Sequence, residues 1–296
     1  VAAALMFGGP GAIFWMWVVA LVGMATAFFE ATLAQIFKVR HVDGSYRGGP
    51  AYYIKRGMKN RLLANVFAVI TVVTCGIVIT SVQSNAIAGT LTGAFGEAAK
   101  QPLPGAGGFS AAQLTVSAMV IFGGIRTVAR VTEWMAPIMA LVYVVMVAVI
   151  CLMNLSQFGA VLAQIFSSAF SADATAGGLG GGILAAMING TKRGLFSNEA
   201  GQGTAPNAAA TATVSHPVRQ GLIQSLGVFI DTIIVCTATA FVILIAGPTV
   251  WSGADVNPSN LTTLAVAHEL GGWTIIPMAI LIFVLAYSSI IAAYVY

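Results

Sequence analysis

A chain of 296 residues that is 58% apolar and only 7% charged has too little charge to cover a water-facing surface, since an ordinary soluble domain carries about 25%. Its formal net charge of +4 comes without a basic patch interleaved with aromatics, so no nucleic-acid partner is expected. The composition excludes a soluble globular enzyme and predicts an all-α polytopic membrane protein with the lipid bilayer as its surroundings.

The chain starts at Val1 without an initiator methionine or signal peptide, and its last residue, Tyr296, falls in or at the end of an apolar run. It is therefore read as one transmembrane domain over 1–296, truncated at both ends. The first apolar run, 12–37, is long enough for a helix to cross about 30 Å of hydrocarbon. Glu30 lies inside it, about 10 Å from the end that meets a basic loop, at 1.5 Å per residue. The second run, 63–88, carries the polar cluster Ser81, Gln83, Ser84 and Asn85. A proline and glycine turn at 101–109 precedes a shorter apolar stretch, 110–125, which hydropathy alone leaves between spanning and re-entrant. The run 134–153 is another full span. After it, 158–170 is apolar but short, which suits a helix lying over the outer surface or leading into the next span.

The stretch 176–191 is the second short candidate, with glycine at 177, 178, 180, 181, 182 and 190. Each glycine inside a helix costs close to 1 kcal/mol relative to alanine. The cluster therefore marks either a small-residue helix interface or a broken helix whose freed backbone groups face a solute, and both readings stand on composition alone. In the span 221–246, Asp231 sits near the midplane, about 15 Å from its basic end at 1.5 Å per residue. A central aspartate costs roughly 2.5 to 3.5 kcal/mol on insertion scales, so it must face protein or water. Glu30 and Asp231 are each read as a structural tie between helices or as a carboxylate that couples to a cation or proton. The last run, 273–296, carries Ser288 and Ser289. Serines in such helices usually bond back to their own backbone, but adjacent hydroxyls also complete sodium sites with carbonyls from a facing helix.

Counting both short stretches gives seven spans, the first entering from outside, and places twelve of the thirteen Lys and Arg on one side, with Lys100 alone opposite. That asymmetry makes the basic side cytoplasmic. Cys75, Cys151 and Cys236 each stand alone in a different span, and His41, His216 and His268 fall in loops or at span ends. No metal centre and no nucleophile with an embedded base can be assembled from them, which argues against a membrane-embedded enzyme. A sodium-independent facilitator or channel subunit is the other alternative.

The run RGLFSNEAGQGTAPNAAATA at 193–212, with HPVRQG at 216–221 and VFIDTIIVCT at 228–237, resembles the alanine or glycine:cation symporter family. GGPGAIFWMWVVALVGMAT at 8–26, GGPAYYI at 48–54, QSNAIA at 83–88 and IFGGIRTVARVTEWMAPIMAL at 121–141 extend the likeness over essentially the whole chain. The resemblance implies a secondary transporter of the bacterial inner membrane that moves a small neutral amino acid, alanine or glycine, with sodium or a proton. It also implies a partial leucine-transporter-like inverted-repeat fold, with this chain holding helices two to eight. Its coupling ion would be sodium, with no organic cofactor. Gln83 and Asn85 match the family's polar pair in its third helix, and Gly181, Gly182, Ala185, Ala186 and Met187 fall where its sixth helix lines the solute pocket. Ser288 and Ser289 match the hydroxyl pair of the shared sodium site, which moves them toward a metal role. One departure is that many members have Gly-Trp where this chain has Ala292 and Ala293, which enlarges the pocket or changes what closes it. Asn198 and Glu199, at a cytoplasmic helix end, are expected to cap and gate.

Overall fold

The computed structural model describes residues 1–42, 44–95, 125–171, 182–251 and 257–295. A short helix α1 (Ala2–Gly8) breaks at Gly9, whose φ is 67°, before the long helix α2 (Gly11–Ile36). A two-residue ladder, β1 (Val39–Arg40) against β2 (Tyr46–Arg47), interrupts the helical pattern at the basic end. After α3 (Pro50–Gly57), a continuous rod runs from Arg61 to Leu91 and beyond. It consists of α4 (Arg61–Val73), a π-helical turn at Thr74–Ile79, and α5 (Thr80–Phe95). Asn60 starts this rod by accepting the Leu63 N–H at 2.9 Å on its side chain, the usual work of an N-cap asparagine.

Helix α6 (Ile125–Met153) ends at Asn154, and α7 (Leu155–Phe170) leaves at a bend of 100°. The predicted short helix over 158–170 is thus present, slightly longer. Asn154 holds the corner: its side-chain amide donates to the Ile150 carbonyl at 3.1 Å and to Glu269 at 2.9 Å. Next come α8 (Gly182–Asn198) and α9 (Ala205–Thr211). A second continuous rod, Pro217–Ile245, contains α10 (Pro217–Val228), a π-helical turn at Phe229–Cys236, and α11 (Thr237–Ile245). The short α12 (Pro248–Trp251), α13 (Leu261–Leu270), a 3-10 turn at Gly272–Thr274 and α14 (Ile275–Val295) complete the chain.

Four of these rods are apolar and long enough to cross a membrane, namely Gly11–Ile36, Arg61–Leu91, Pro217–Ile245 and Gly272–Ile290, and the bent pair Ala140–Met153 with Leu155–Phe170 is a fifth candidate. They coincide with the strong runs of the sequence. Most of the expected stretch 110–125 and the glycines at 177–181, including Gly181, lie outside the described residues.

Helix α2 is the hub, packing against α7, α8, α9 and α10. Its buried positions Met16, Ala20, Gly23, Ala27, Ala31 and Ala34 recur at three- and four-residue steps, which keeps them on one face. Small side chains there let neighbouring backbones approach closely, the packing mode that operates where hydrocarbon removes the hydrophobic drive between helices. A Cβ on Gly190 of α8 would collide with the Ala12 carbonyl and with Trp15 of α2, and one on Gly221 of α10 would meet Phe28 and Thr32. Opposite faces carry Leu21, Val22 and Phe29 outward, and the rod through α4 exposes Val69, Ile70, Val72 and Ile77, as suits contact with lipid chains. The principal core gathers Leu5, Ile13, Met16, Ile150, Ile165, Ile243, Leu261 and Met278 from seven helices. Two side-chain bonds tie α11 into it: the Trp17 indole donates to Thr237 at 2.7 Å, and Tyr143 pairs with Thr239 at 2.6 Å.

Candidate functional site

A cavity of about 570 Å³ with polar groups on its wall lies where α1, α5, the end of α8 and α14 converge. Helix α5 contributes Gln83 and Asn85, and α14 contributes Ser289, Ala292 and Ala293. The far wall is the last turn of α8, with Arg193, Phe196 and Ser197, followed by Glu199 and Gln202 of the loop to α9. Asn257, Pro258 and Ser259 close one side, and this segment is held to α5 because the Thr90 hydroxyl donates to the Ser259 carbonyl at 3.2 Å. The wall therefore combines amides and hydroxyls, one cation and one carboxylate with apolar groups both small and large, Phe7, Phe196 and Ile79 among the latter. Such a surface offers hydrogen bonds to a small zwitterion without trapping it.

Three predicted site residues, Gln83, Asn85 and Ser289, meet on this cavity. Ser288 is the neighbour of a lining residue, and both serines donate to the Leu285 carbonyl, at 2.8 and 3.0 Å. A hydroxyl that has given its proton to a carbonyl keeps its lone pairs for a cation, so back-bonding and sodium ligation are compatible. The predicted α8 residues sit elsewhere. Ala186 is buried, and Gly182, Ala185 and Met187 are not on the cavity wall. Near them, the Asn189 amide joins the Phe7 and Ala185 carbonyls, so this turn of α8 packs against α1. Ala293 is buried against Cys75 and Ile79 of the first π-helical turn.

Asp231 lies one layer behind the wall, in the second π-helical turn. Its Oδ2 accepts from the Ser197 hydroxyl at 2.7 Å and from the Thr232 hydroxyl at 3.1 Å, and the Asn198 amide donates to Thr232 at 3.3 Å. The carboxylate thus ties the cavity end of α8 to the rod through α10 and α11. Glu30 plays the matching part on α2, where its Oε2 accepts the Gly201 N–H at 3.0 Å. A second cavity of about 70 Å³ lies beside it, between Asn198, Gln224 and Pro206. Tyr53, outside the spans, is pushed up to about 12 by burial and then by the Glu30 carboxylate. The loop that Glu30 touches carries left-handed backbone at Glu199, Gly201 and Gly203 (φ of 54°, 82° and 78°), a conformation that a non-glycine residue such as Glu199 adopts only when its surroundings hold it there. Part of that hold is the Thr204 hydroxyl, which donates to Glu199 at 2.7 Å.

Sequence reasoning missed Arg193, Ser197 and the 257–259 segment as wall residues, and both π-helical turns. The turns leave no periodic signature. A midplane aspartate with no basic partner nearby was the one available signal that a hydroxyl such as Ser197 must approach it.

The sequence profile of the Sodium:alanine symporter family matches residues 1–296. The chain belongs to that family. It is 46% identical to the amino-acid carrier protein AlsT of Bacillus subtilis, over 100% of this chain and 60% of that protein. It is 42% identical to the probable sodium/glutamine symporter GlnT of the same organism, over 100% and 59%. It is 39% identical to the sodium/alanine symporter AgcS of Methanococcus maripaludis, over 98% and 63%. The chain therefore spans about three fifths of the length of these relatives. Members of the sodium:alanine symporter family are transporters, not enzymes, and this chain, with its apolar rods, is part of a multi-pass membrane protein.

Proposed function

We propose that the full-length protein is a secondary symporter that carries a small neutral amino acid, alanine or glycine, inward with sodium across the bacterial plasma membrane. The observation that carries this reading is the meeting of Gln83, Asn85 and Ser289 on one oxygen- and amide-rich cavity in a chain of the sodium:alanine symporter family. In this reading the basic loops face the cytoplasm, and the helices form part of a leucine-transporter-like inverted repeat that alternates access to the cavity. Ser288 and Ser289 supply oxygens to sodium. Gln83 and Asn85 bind the solute. Asp231 and Glu30 act as ties rather than as coupling charges. Coupling then follows from reciprocal stabilisation, because each bound species raises the affinity for the other by the same factor.

The names of two relatives point to alanine and glutamine, and Ala292 and Ala293 put small side chains on the cavity wall. The test therefore presents labelled alanine, glycine and glutamine to purified full-length protein in proteoliposomes. Accumulation of alanine or glycine above equilibrium under an inward sodium gradient, and its loss when potassium replaces sodium, is the expected result. A stronger response to glutamine would move the substrate to a larger neutral amino acid. Equilibrating uptake indifferent to sodium and proton gradients would leave a facilitator.

A further inference from the structure

Glu30 touches no part of the large cavity, yet its partner Gly201 sits between two residues that do, Glu199 and Gln202. We infer that Glu30 is a positioning residue, which fixes the cavity wall by anchoring the 199–204 loop to α2 through the Gly201 amide. The Glu30 side chain lies on the face of α2 that meets this loop. Gly23, two turns earlier, faces the same loop: a Cβ there would lie 3.2 Å from the Ala200 Cβ, a tight contact, and 3.5 Å from the Asn198 amide, an ordinary one. Downstream of the loop, α2 holds α9 as well. The Gln35 amide donates to the Ala209 and Ala212 carbonyls, and Lys38 donates to Ala212 at 2.8 Å.

Between these anchorages the loop is short, with left-handed backbone at Glu199, Gly201 and Gly203, and its own internal bonds run to Leu195 from Gln202 and to Glu199 from Thr204. The Gly201 N–H points away from that internal network, and Glu30 is what receives it. The bond lies at an exposed residue, where water can take a freed donor, so its loss loosens the loop by the modest net worth of one hydrogen bond rather than by a burial penalty, and the loop is held best while an acceptor of the right length stands on α2. The role needs an oxygen at that reach and does not need a charge.

That distinction sets the experiment, which compares full-length wild type with Glu30→Gln, Glu30→Asp and Glu30→Ala by amide hydrogen exchange and by uptake. Glutamine keeps an oxygen at the same reach, whereas aspartate keeps the charge but falls one methylene short. Exchange over 199–204 is expected to quicken about fivefold in Glu30→Asp and Glu30→Ala and to stay within about twofold of wild type in Glu30→Gln, fivefold corresponding to about 1 kcal/mol. The KM for the amino acid should rise in the first two and return in Glu30→Gln. Slow exchange in Glu30→Asp, or fast exchange in Glu30→Gln, would overturn the inference. The effect on KM rests on the cavity being the transport site, but the exchange result does not, so failure of uptake in wild type would remove the symport reading and leave the positioning role to be judged by exchange.

Discussion

Replacing Ser288 and Ser289 together by alanine is expected to raise the sodium concentration for half-maximal uptake by about tenfold or more, with maximal uptake at saturating sodium much less affected. A hydrogen bond or contact to a charged group is worth roughly 1.5 to 3 kcal/mol, and the pair would remove two oxygens from the ion. Stability should hardly change. Each hydroxyl donates only to the Leu285 carbonyl of its own helix, and its loss leaves that helix regular, since such back-bonding adds little. A thermal-melt midpoint close to wild type, together with the sodium shift, separates ligation from packing. An unchanged sodium dependence would remove both serines from the ion's path and return them to the role of helix back-bonders.

Asp231 should divide its variants by shape rather than by charge. In Asp231→Ala, the Ser197 and Thr232 hydroxyls lose their shared acceptor, and Ser197 on the cavity wall is no longer tied to the second π-helical turn. Uptake is expected to fall at least about tenfold, in line with the roughly 1 to 3 kcal/mol cost of breaking a buried hydrogen-bonded pair. Asp231→Asn keeps an oxygen for the same hydroxyls and should retain uptake within about threefold, with the sodium dependence unchanged. Loss of sodium dependence in Asp231→Asn would instead make this carboxylate a coupling charge. The two outcomes are read in one assay, initial uptake rate against sodium concentration.

The rods were legible because hydropathy is local: 12–37 and 221–246 need only their own residues to declare themselves, and the structure places helices over both. The corner at Asn154 was half legible. The short apolar run after it was visible, but the 100° bend and its bond from Asn154 to Glu269, more than a hundred residues away, were not. The π-helical turns were not legible, since FIDTIIVC and TCGIVI carry no breaker beyond Gly76 and differ from ordinary span sequence only in how carbonyls and amides pair. Likewise Gln83, Asn85 and Ser289 were named as polar anomalies in apolar spans, whereas Arg193 and Ser197 looked like ordinary residues at a helix end. Whether a helix-end residue lines a cavity depends on tertiary packing that no window of sequence contains. The glycines near 181 and 182 show the converse: their spacing was conspicuous, but the described part of α8 uses its small residues to meet α1 and α2 rather than this cavity.

The central claim, that the cavity between α5, α8 and α14 is where the amino acid binds in a sodium-dependent way, is tested most directly by a thiol at Ala292, a small and exposed wall residue. In full-length protein lacking Cys75, Cys151 and Cys236, the rate at which a maleimide alkylates Ala292→Cys should fall severalfold when alanine or glycine is added in sodium, and should not fall when it is added in potassium. Alkylation that is equally fast with and without the amino acid in sodium would place the solute somewhere else.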